Sequence, residues 1–215
     1  KKSYKMSFRN EDKFRFEKKK SFDLIYWLKS LKSKKKYISR KVCSLYFDNN
    51  NLQMYLDSIE GITPRKKIRI RVYNEDNFYK DNLDANLEKK ISSVEGRFKT
   101  TNKIKNVNNF LKYGFYDNFY GNCYPKIKIS YNRSYYQFEN YRITIDENIS
   151  YEKFHKLFNN TNVAYDDYNV FEIKYNEKNE SISNLQNDFP FERSRFSKYC
   201  RAVELTLSNN KKLYL

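Results

Sequence analysis

The segment RKKIRIRVY, residues 65–73, alternates Arg69, Arg71 and Tyr73 with Ile68, Ile70 and Val72. Successive side chains of a β-strand point to opposite faces, so a period of two predicts a strand with one apolar and one cationic face. The pattern recurs. Glu11, Lys13 and Arg15 alternate with Phe14 and Phe16, and Arg142, Thr144 and Asp146 with Ile143 and Ile145. Glu172 and Lys174 alternate with Phe171 and Ile173, and further charged or polar pairs stand at Glu88/Lys90, Arg97/Lys99 and Tyr131/Arg133. A single open, solvated sheet would satisfy the alternation. Its repetition in at least six strands favours a common cover for the apolar faces and a common cavity for the charged ones.

Strand-like segments lie near 8–17, 41–47, 65–74, 83–91, 96–100, 125–137, 140–147, 168–175 and 196–206. Helical spacing fits 21–33, where Phe22, Leu24, Ile25, Leu28 and Leu31 share a side, and also 50–59, 103–113, 151–158 and 182–187. Ser21 and the pair Asp48/Asn49 stand where N-terminal caps belong. With 215 residues, 39% hydrophobic, and only four Gly and three Pro, the chain suits one domain over 1–215 with a real core. The fold class predicted is α+β: a closed antiparallel β-barrel with helices packed on its outside. No apolar run approaches the roughly 18 residues that a bilayer-spanning helix needs. Cys43, Cys123 and Cys200 match neither a disulfide framework nor a zinc spacing, and read as buried thiols in a reducing, cytoplasmic setting.

The formal charge of +17, from 43 Lys+Arg against 26 Asp+Glu, points to a polyanionic partner: nucleic acid, an acidic membrane surface or a phosphate-rich small molecule. Part of the basicity belongs to a chain rich in Lys, Asn, Ile, Tyr and Phe, and the runs Lys18–Lys20 and Lys34–Lys36 read as solvated surface. Cations inside a barrel are another matter. Two of them ~4 Å apart repel by roughly 4 kcal/mol at an effective dielectric near ~20. A lining of such groups must therefore be wet and poised for a multivalent anion. Arg engages two phosphate oxygens at once and Lys acts as a point charge. Glu172 among them would suit a divalent ion clamped between protein and phosphate. The aromatic residues fall mostly at apolar strand and helix positions, and no nucleic-acid-binding motif is present, so no nucleic-acid partner is expected. Trp27 reads as core and His155, the only histidine, as a helix surface residue.

The stretch SLYFDNNNLQMYLDSIEGITPRKKIRIRVY (44–73) resembles the signature of the VTC domain, the catalytic module of vacuolar transporter chaperone-type, ATP-driven polyphosphate polymerases. That family sits among the CYTH-like triphosphate tunnel metalloenzymes. The resemblance continues through RNEDKFRF (9–16), LEKKISSVEGRFKT (87–100), PKIKISYNRSYYQFENYRITID (125–146), VFEIKY (170–175) and RFSKYCRAVEL (195–205). It implies that Lys13, Arg69, Arg71, Lys90, Lys99, Arg133, Arg142 and Lys198 grip phosphates, with Tyr131, Lys174 and Ser197 as auxiliary contacts. Arg69, Arg71, Lys90 and Lys198 would be the catalytic cations, and Glu172 would hold Mn2+ or Mg2+. ATP and polyphosphate are the implied ligands, and the family's habit of working beside membrane subunits leaves room for a membrane-protein partner. Two departures stand out. Hydrolytic relatives open with E-x-E-x-K, whereas Arg9 here takes the first Glu position, which disfavours a second metal and water activation. Lys89 replaces a usually apolar residue. The alternatives are an inorganic or nucleoside triphosphatase of the same fold and a non-catalytic polyphosphate-binding module.

Overall fold

The computed structural model describes residues 5–6, 9–155, 162–176, 189 and 191–207. The alternating segments become strands β1 (Lys5–Met6), β2 (Arg9–Glu17), β3 (Lys34–Asp48), β4 (Arg65–Tyr73), β5 (Ala85–Ser93) and β6 (Gly96–Ile104). They continue as β7 (Phe115–Asp117), β8 (Gly121–Phe138), β9 (Tyr141–Lys153), β10 (Val163–Tyr165) and β11 (Tyr168–Asn176). Four short α-helices accompany them among the described residues: α1 (Ser21–Ser30), α2 (Gln53–Glu60), α3 (Val107–Tyr113) and α4 (Lys198–Thr206). The strands form one antiparallel sheet in the order β1-β6-β5-β4-β3-β8-β9-β11-β2, with β10 added to β9 and β7 to β8.

This corrects the expected closure. Among the described residues β1 and β2, at the two ends of the ladder, do not pair, so the sheet is an open half-barrel, and the structure is mostly strand. Its curl is nonetheless strong. β2 and β5 lie six places apart in the ladder, which in a flat sheet would separate them by about 29 Å. Yet Glu11 of β2 and Lys90 of β5 approach to 3.6 Å. The charged faces therefore look inward, as the alternation requires.

The convex face is covered where its apolar residues demand it. On α1, Leu24, Trp27 and Leu28 share one side at helical spacing and bury against Phe14, Phe16, Ile143, Ile145, Phe171 and Ile173 of β2, β9 and β11. Each such side chain contributes roughly 1.5–3 kcal/mol by leaving water. A second cluster joins Ile68, Ile70 and Val72 of β4 to Met54 of α2, Val107 and Leu111 of α3, and Phe78. The three cysteines are free and buried.

Capping follows the sequence at α2 and departs from it at α1. Asp48 accepts from the backbone N–H groups of Met54 (3.0 Å) and Tyr55 (3.1 Å), and Asn49 from that of Gln53 (3.0 Å). Ser21 instead accepts from the Asn169 side chain at 3.2 Å and caps nothing. The segment 196–206, read as a strand, is helix α4. Ser197 accepts from the Cys200 N–H, and Tyr199, Cys200, Ala202 and Val203 are buried at a spacing that only a helix can place on one side. The helix read at 151–158 is strand through Lys153; 156–158 and the helix read at 182–187 lie outside the described residues. His155 is exposed beyond the end of β9, not on a helix. Trp27 is core, as expected.

Candidate functional site

Residues directly opposite in an antiparallel ladder share a face, so the register assembles the concave surface. Lys67 of β4 stands opposite Lys90 of β5, and Lys90 opposite Lys99 of β6. Three lysines thus form a row across adjacent strands, where like charges oppose folding. The next row places Arg69 opposite both Tyr46 of β3 and Glu88 of β5. Arg71 faces Ser44. On the other side of the half-barrel, Lys13 faces Glu172, Glu11 faces Lys174, and Arg133 faces Asp146.

Three carboxylate networks partly compensate these cations. In the first, Lys13 contacts Glu11 at 2.8 Å and Glu172 at 3.8 Å, while Lys174 contacts Glu172 at 2.7 Å and Glu11 at 3.7 Å. In the second, Glu88 accepts from Arg69 (2.6 and 2.8 Å) and from Lys99 (2.7 Å). In the third, Asp146, 1% exposed, takes a bidentate pair from Arg133 (2.5 and 2.7 Å) and a further bond from Lys198 (2.6 Å). α4 delivers Lys198 to this end, anchored by Tyr199, which stacks on Tyr46 (centroids 5.1 Å apart) and donates to Asp48 at 2.6 Å.

Among the described residues, two of the deeper cations are left short of compensation. Arg71 is 6% exposed and, among the described residues, bonds only to neutral hydroxyls, Ser44 (3.0 Å) and Tyr131 (2.9 Å); its carboxylate contact, Glu88, is at 3.9 Å. Lys67 donates to the Ser197 hydroxyl at 2.9 Å and has no carboxylate within 4.0 Å among the described residues. Titration behaviour reflects the crowding. Lys67, Lys90 and Lys99 all fall below the ordinary lysine value; burial is the largest cause for each, and neighbouring cations add to it, taking Lys90 to about 8. Burial and the adjacent Glu172 push Glu11 up, but Lys13, Lys90 and Lys174 outweigh them and hold it at about 2. Burial likewise opposes ionisation of Asp146, yet Arg133 and Lys198 hold it at about 2. Glu172 and Glu88 are also held well below the usual carboxylate range, against burial, by Lys174, Lys13 and Arg133 in one case and Arg69, Arg71 and Lys99 in the other.

Among the described residues no group of three or more His, Cys, Asp or Glu converges as a metal cage. Glu172 and Glu11 are hard oxygen donors kept ionised and share two ammonium groups. That donor set fits a divalent cation of the Mg2+ or Mn2+ kind only if the ion draws its remaining ligands from phosphate oxygens and water.

Of the residues singled out from sequence, Lys13, Arg69, Arg71, Lys90, Lys99, Tyr131, Arg133, Glu172, Lys174, Ser197 and Lys198 meet on this face. Arg142 shares it, opposite Lys174, but is exposed at the mouth. Lys67, Tyr46 and the counter-ions Glu11, Glu88 and Asp146 belong to the site as well. Lys67 was signalled by standing two residues before Arg69, and Asp146 by standing two after Thr144. Lys89 points away, its ammonium 4.0 Å over the Phe115 ring, which explains how a lysine occupies an apolar position.

The VTC domain family model matches residues 5–122 and 116–207. A "putative adenylate cyclase" from Vibrio parahaemolyticus superposes with a TM-score of 0.53 at 13% identity, covering 92% of this chain and 98% of that one. A "putative adenylate cyclase" from Bacillus halodurans does so with a TM-score of 0.54 at 12% identity, covering 94% and 100%. These likenesses establish the fold. No curated protein sequence matches the chain. Among the described residues no helix is long and apolar enough to cross a membrane.

Proposed function

This chain belongs to the VTC domain family, and from that premise we propose that it is a polyphosphate polymerase, transferring the γ-phosphoryl group of ATP to the end of a polyphosphate chain on the concave face. The observation that carries the reading is the row Lys67–Lys90–Lys99 together with the under-compensated Arg71, two rows further along β4. A fold does not hold like charges in file across neighbouring strands for its own stability, whereas a linear phosphoanhydride supplies one anionic group for each.

A bound phosphate chain competes with Glu11 and Glu172 for Lys13 and Lys174, and these half-exposed side chains turn from carboxylate to phosphate. Arg69, Arg71 and Arg133 are held in place by Tyr46, Tyr131 and Asp146, so their guanidinium groups meet the charge that builds on the transferring group without rearrangement. The attacking atom is a terminal phosphate oxygen of the acceptor, already ionised, so no general base is needed. The bond between the γ-phosphorus and the β–γ bridging oxygen breaks, a new P–O–P linkage forms, and ADP departs with the electron pair. A divalent ion on Glu172 would add charge neutralisation on the phosphate oxygens.

A second reading, hydrolysis of the triphosphate, is favoured by one observation: Glu11 and Glu172 share Lys13 and Lys174, so two carboxylates stand together where water could be oriented. Incubation with γ-labelled ATP, Mn2+ and a short polyphosphate primer separates the readings. Label in polymer with equimolar ADP supports the polymerase; label in free phosphate replaces it with a triphosphatase. No ADP release at all leaves a binding module.

A further inference from the structure

Beyond the phosphate-gripping cations the concave face changes character. Two residues past Arg71 on β4 stands Tyr73, and two past Arg133 on β8 stands Tyr135, both half-buried and on the same faces as those arginines. Between them lies Arg40 of β3, which the register places opposite Arg133. Its guanidinium carbon sits 3.9 Å over the Tyr73 ring and 5.2 Å from the Tyr135 ring, and its Nε donates to the Tyr135 hydroxyl at 2.8 Å. Tyr37 meets Tyr135 edge-on at 5.6 Å. Arg40 is exposed, yet it has no carboxylate within ion-pair distance, and its Nη groups have no acceptor, among the described residues.

We propose that Arg40, Tyr73 and Tyr135 seat the base of a nucleoside triphosphate whose phosphates run inward over Arg71 and Arg133. The proposal rests on the phosphate-binding reading above and adds to it the residues that seat the base of the donor nucleotide. Three planar groups at the mouth, one strand repeat from the first deep guanidinium groups, stand about one ribose away from the phosphates. Flat stacking on tyrosine and the bond to Tyr135 hold Arg40 in one orientation beforehand, so the surface needs little ordering when a base arrives. The Nη hydrogens left without a protein acceptor suit the ring nitrogens and carbonyl oxygens at a base edge. Stacking of this kind tolerates different bases, so a preference for nucleotides over base-free triphosphates is expected, without strict choice among purines.

ATP and ribose 5-triphosphate carry the same phosphate chain and differ in the base, so their affinities isolate this contact. Calorimetric titration of the whole chain is expected to show ATP binding about tenfold more tightly. Tyr73→Leu and Tyr135→Leu each lower ATP affinity by about five- to tenfold and leave ribose 5-triphosphate within about twofold. Arg40→Lys, at an exposed position, keeps the charge, removes the planar surface and gives the same selective loss. Equal affinity of the wild type for both ligands, or parallel weakening of both in the variants, overturns the base site while the phosphate site stands. Binding of neither ligand overturns the phosphate-binding reading and this inference with it.

Discussion

Arg71 of β4 donates to the Tyr131 hydroxyl of β8 at 2.9 Å, while the carboxylate of Glu88 stands 3.9 Å from its guanidinium group. A buried cation held by neutral hydroxyls is positioned but not neutralised, and that is the state in which it attracts an anion most strongly. Arg71→Ala is therefore expected to reduce ATP-dependent chain growth by about 10²–10³-fold, the range for a positioned donor at developing charge. The double change Arg69→Ala with Arg71→Ala should abolish growth. Both are read from ADP release with a polyphosphate primer; near-normal synthesis by the double variant would discard the mechanism.

Lys67 carries the opposite lesson about stability. It lies among cations and, among the described residues, its one hydrogen-bond partner is the Ser197 hydroxyl, so an apolar residue of similar shape relieves repulsion and desolvation. Lys67→Met should raise unfolding free energy by about 1–2 kcal/mol and weaken tripolyphosphate binding by about tenfold. Denaturant titration and calorimetry on the same sample check the pair; a variant that loses stability as well as affinity would show Lys67 to be structural.

The depressed Lys90, at about 8, sets a pH dependence with two signs. Deprotonation removes a positive charge, so tripolyphosphate binding should weaken as pH rises from 7 to 9. Between about 8 and the ordinary value of 10.5 the unfolded chain holds more protons at this residue than the folded one, so Lys90 makes stability rise with pH over that window. Lys90→Arg stays charged and should remove the binding inflection. An unchanged profile in that variant would assign the titration elsewhere.

Asp146, itself buried, neutralises two half-buried cations at once. Asp146→Asn leaves Arg133 and Lys198 without their counter-ion and is expected to cost about 3–5 kcal/mol. Added tripolyphosphate should restore part of the loss by supplying the missing negative charge. In the wild type, Asp146 and Glu11 sit at about 2, below their ordinary values of 3.8 and 4.5. Their stabilisation is complete above about pH 4.5 and disappears as pH falls toward 2. Acid unfolding curves of wild type and Asp146→Asn should therefore converge at low pH.

The site was largely legible in one dimension because a strand's period of two assigns each residue a face without any knowledge of its neighbours. Lys13, Arg69, Arg71, Lys90, Lys99, Arg133 and Glu172 could be turned inward on that ground alone. Helix α4 was misread because RFSKYCRAVEL lets short alternation compete with helical spacing, and the choice is made by burial of Tyr199, Ala202 and Val203 against the end of the half-barrel. Ser21 likewise stood in a capping position, but Asn169 claimed its hydroxyl from another part of the chain.

Face and charge were thus determined by the order of residues, since they depend on alternation within one strand; the buried side of α1 was not, for Phe22 and Ile25 are exposed and Leu24, Trp27 and Leu28 pack inward. Which charges neutralise one another was decided only by the tertiary structure. Glu11 meets Lys90 because the sheet curls through six strand positions, and Lys198 reaches Asp146 because α4 folds back onto β9. Strand register and curvature are collective properties of the whole ladder, and the same properties left the sheet an open half-barrel where a closed one was expected.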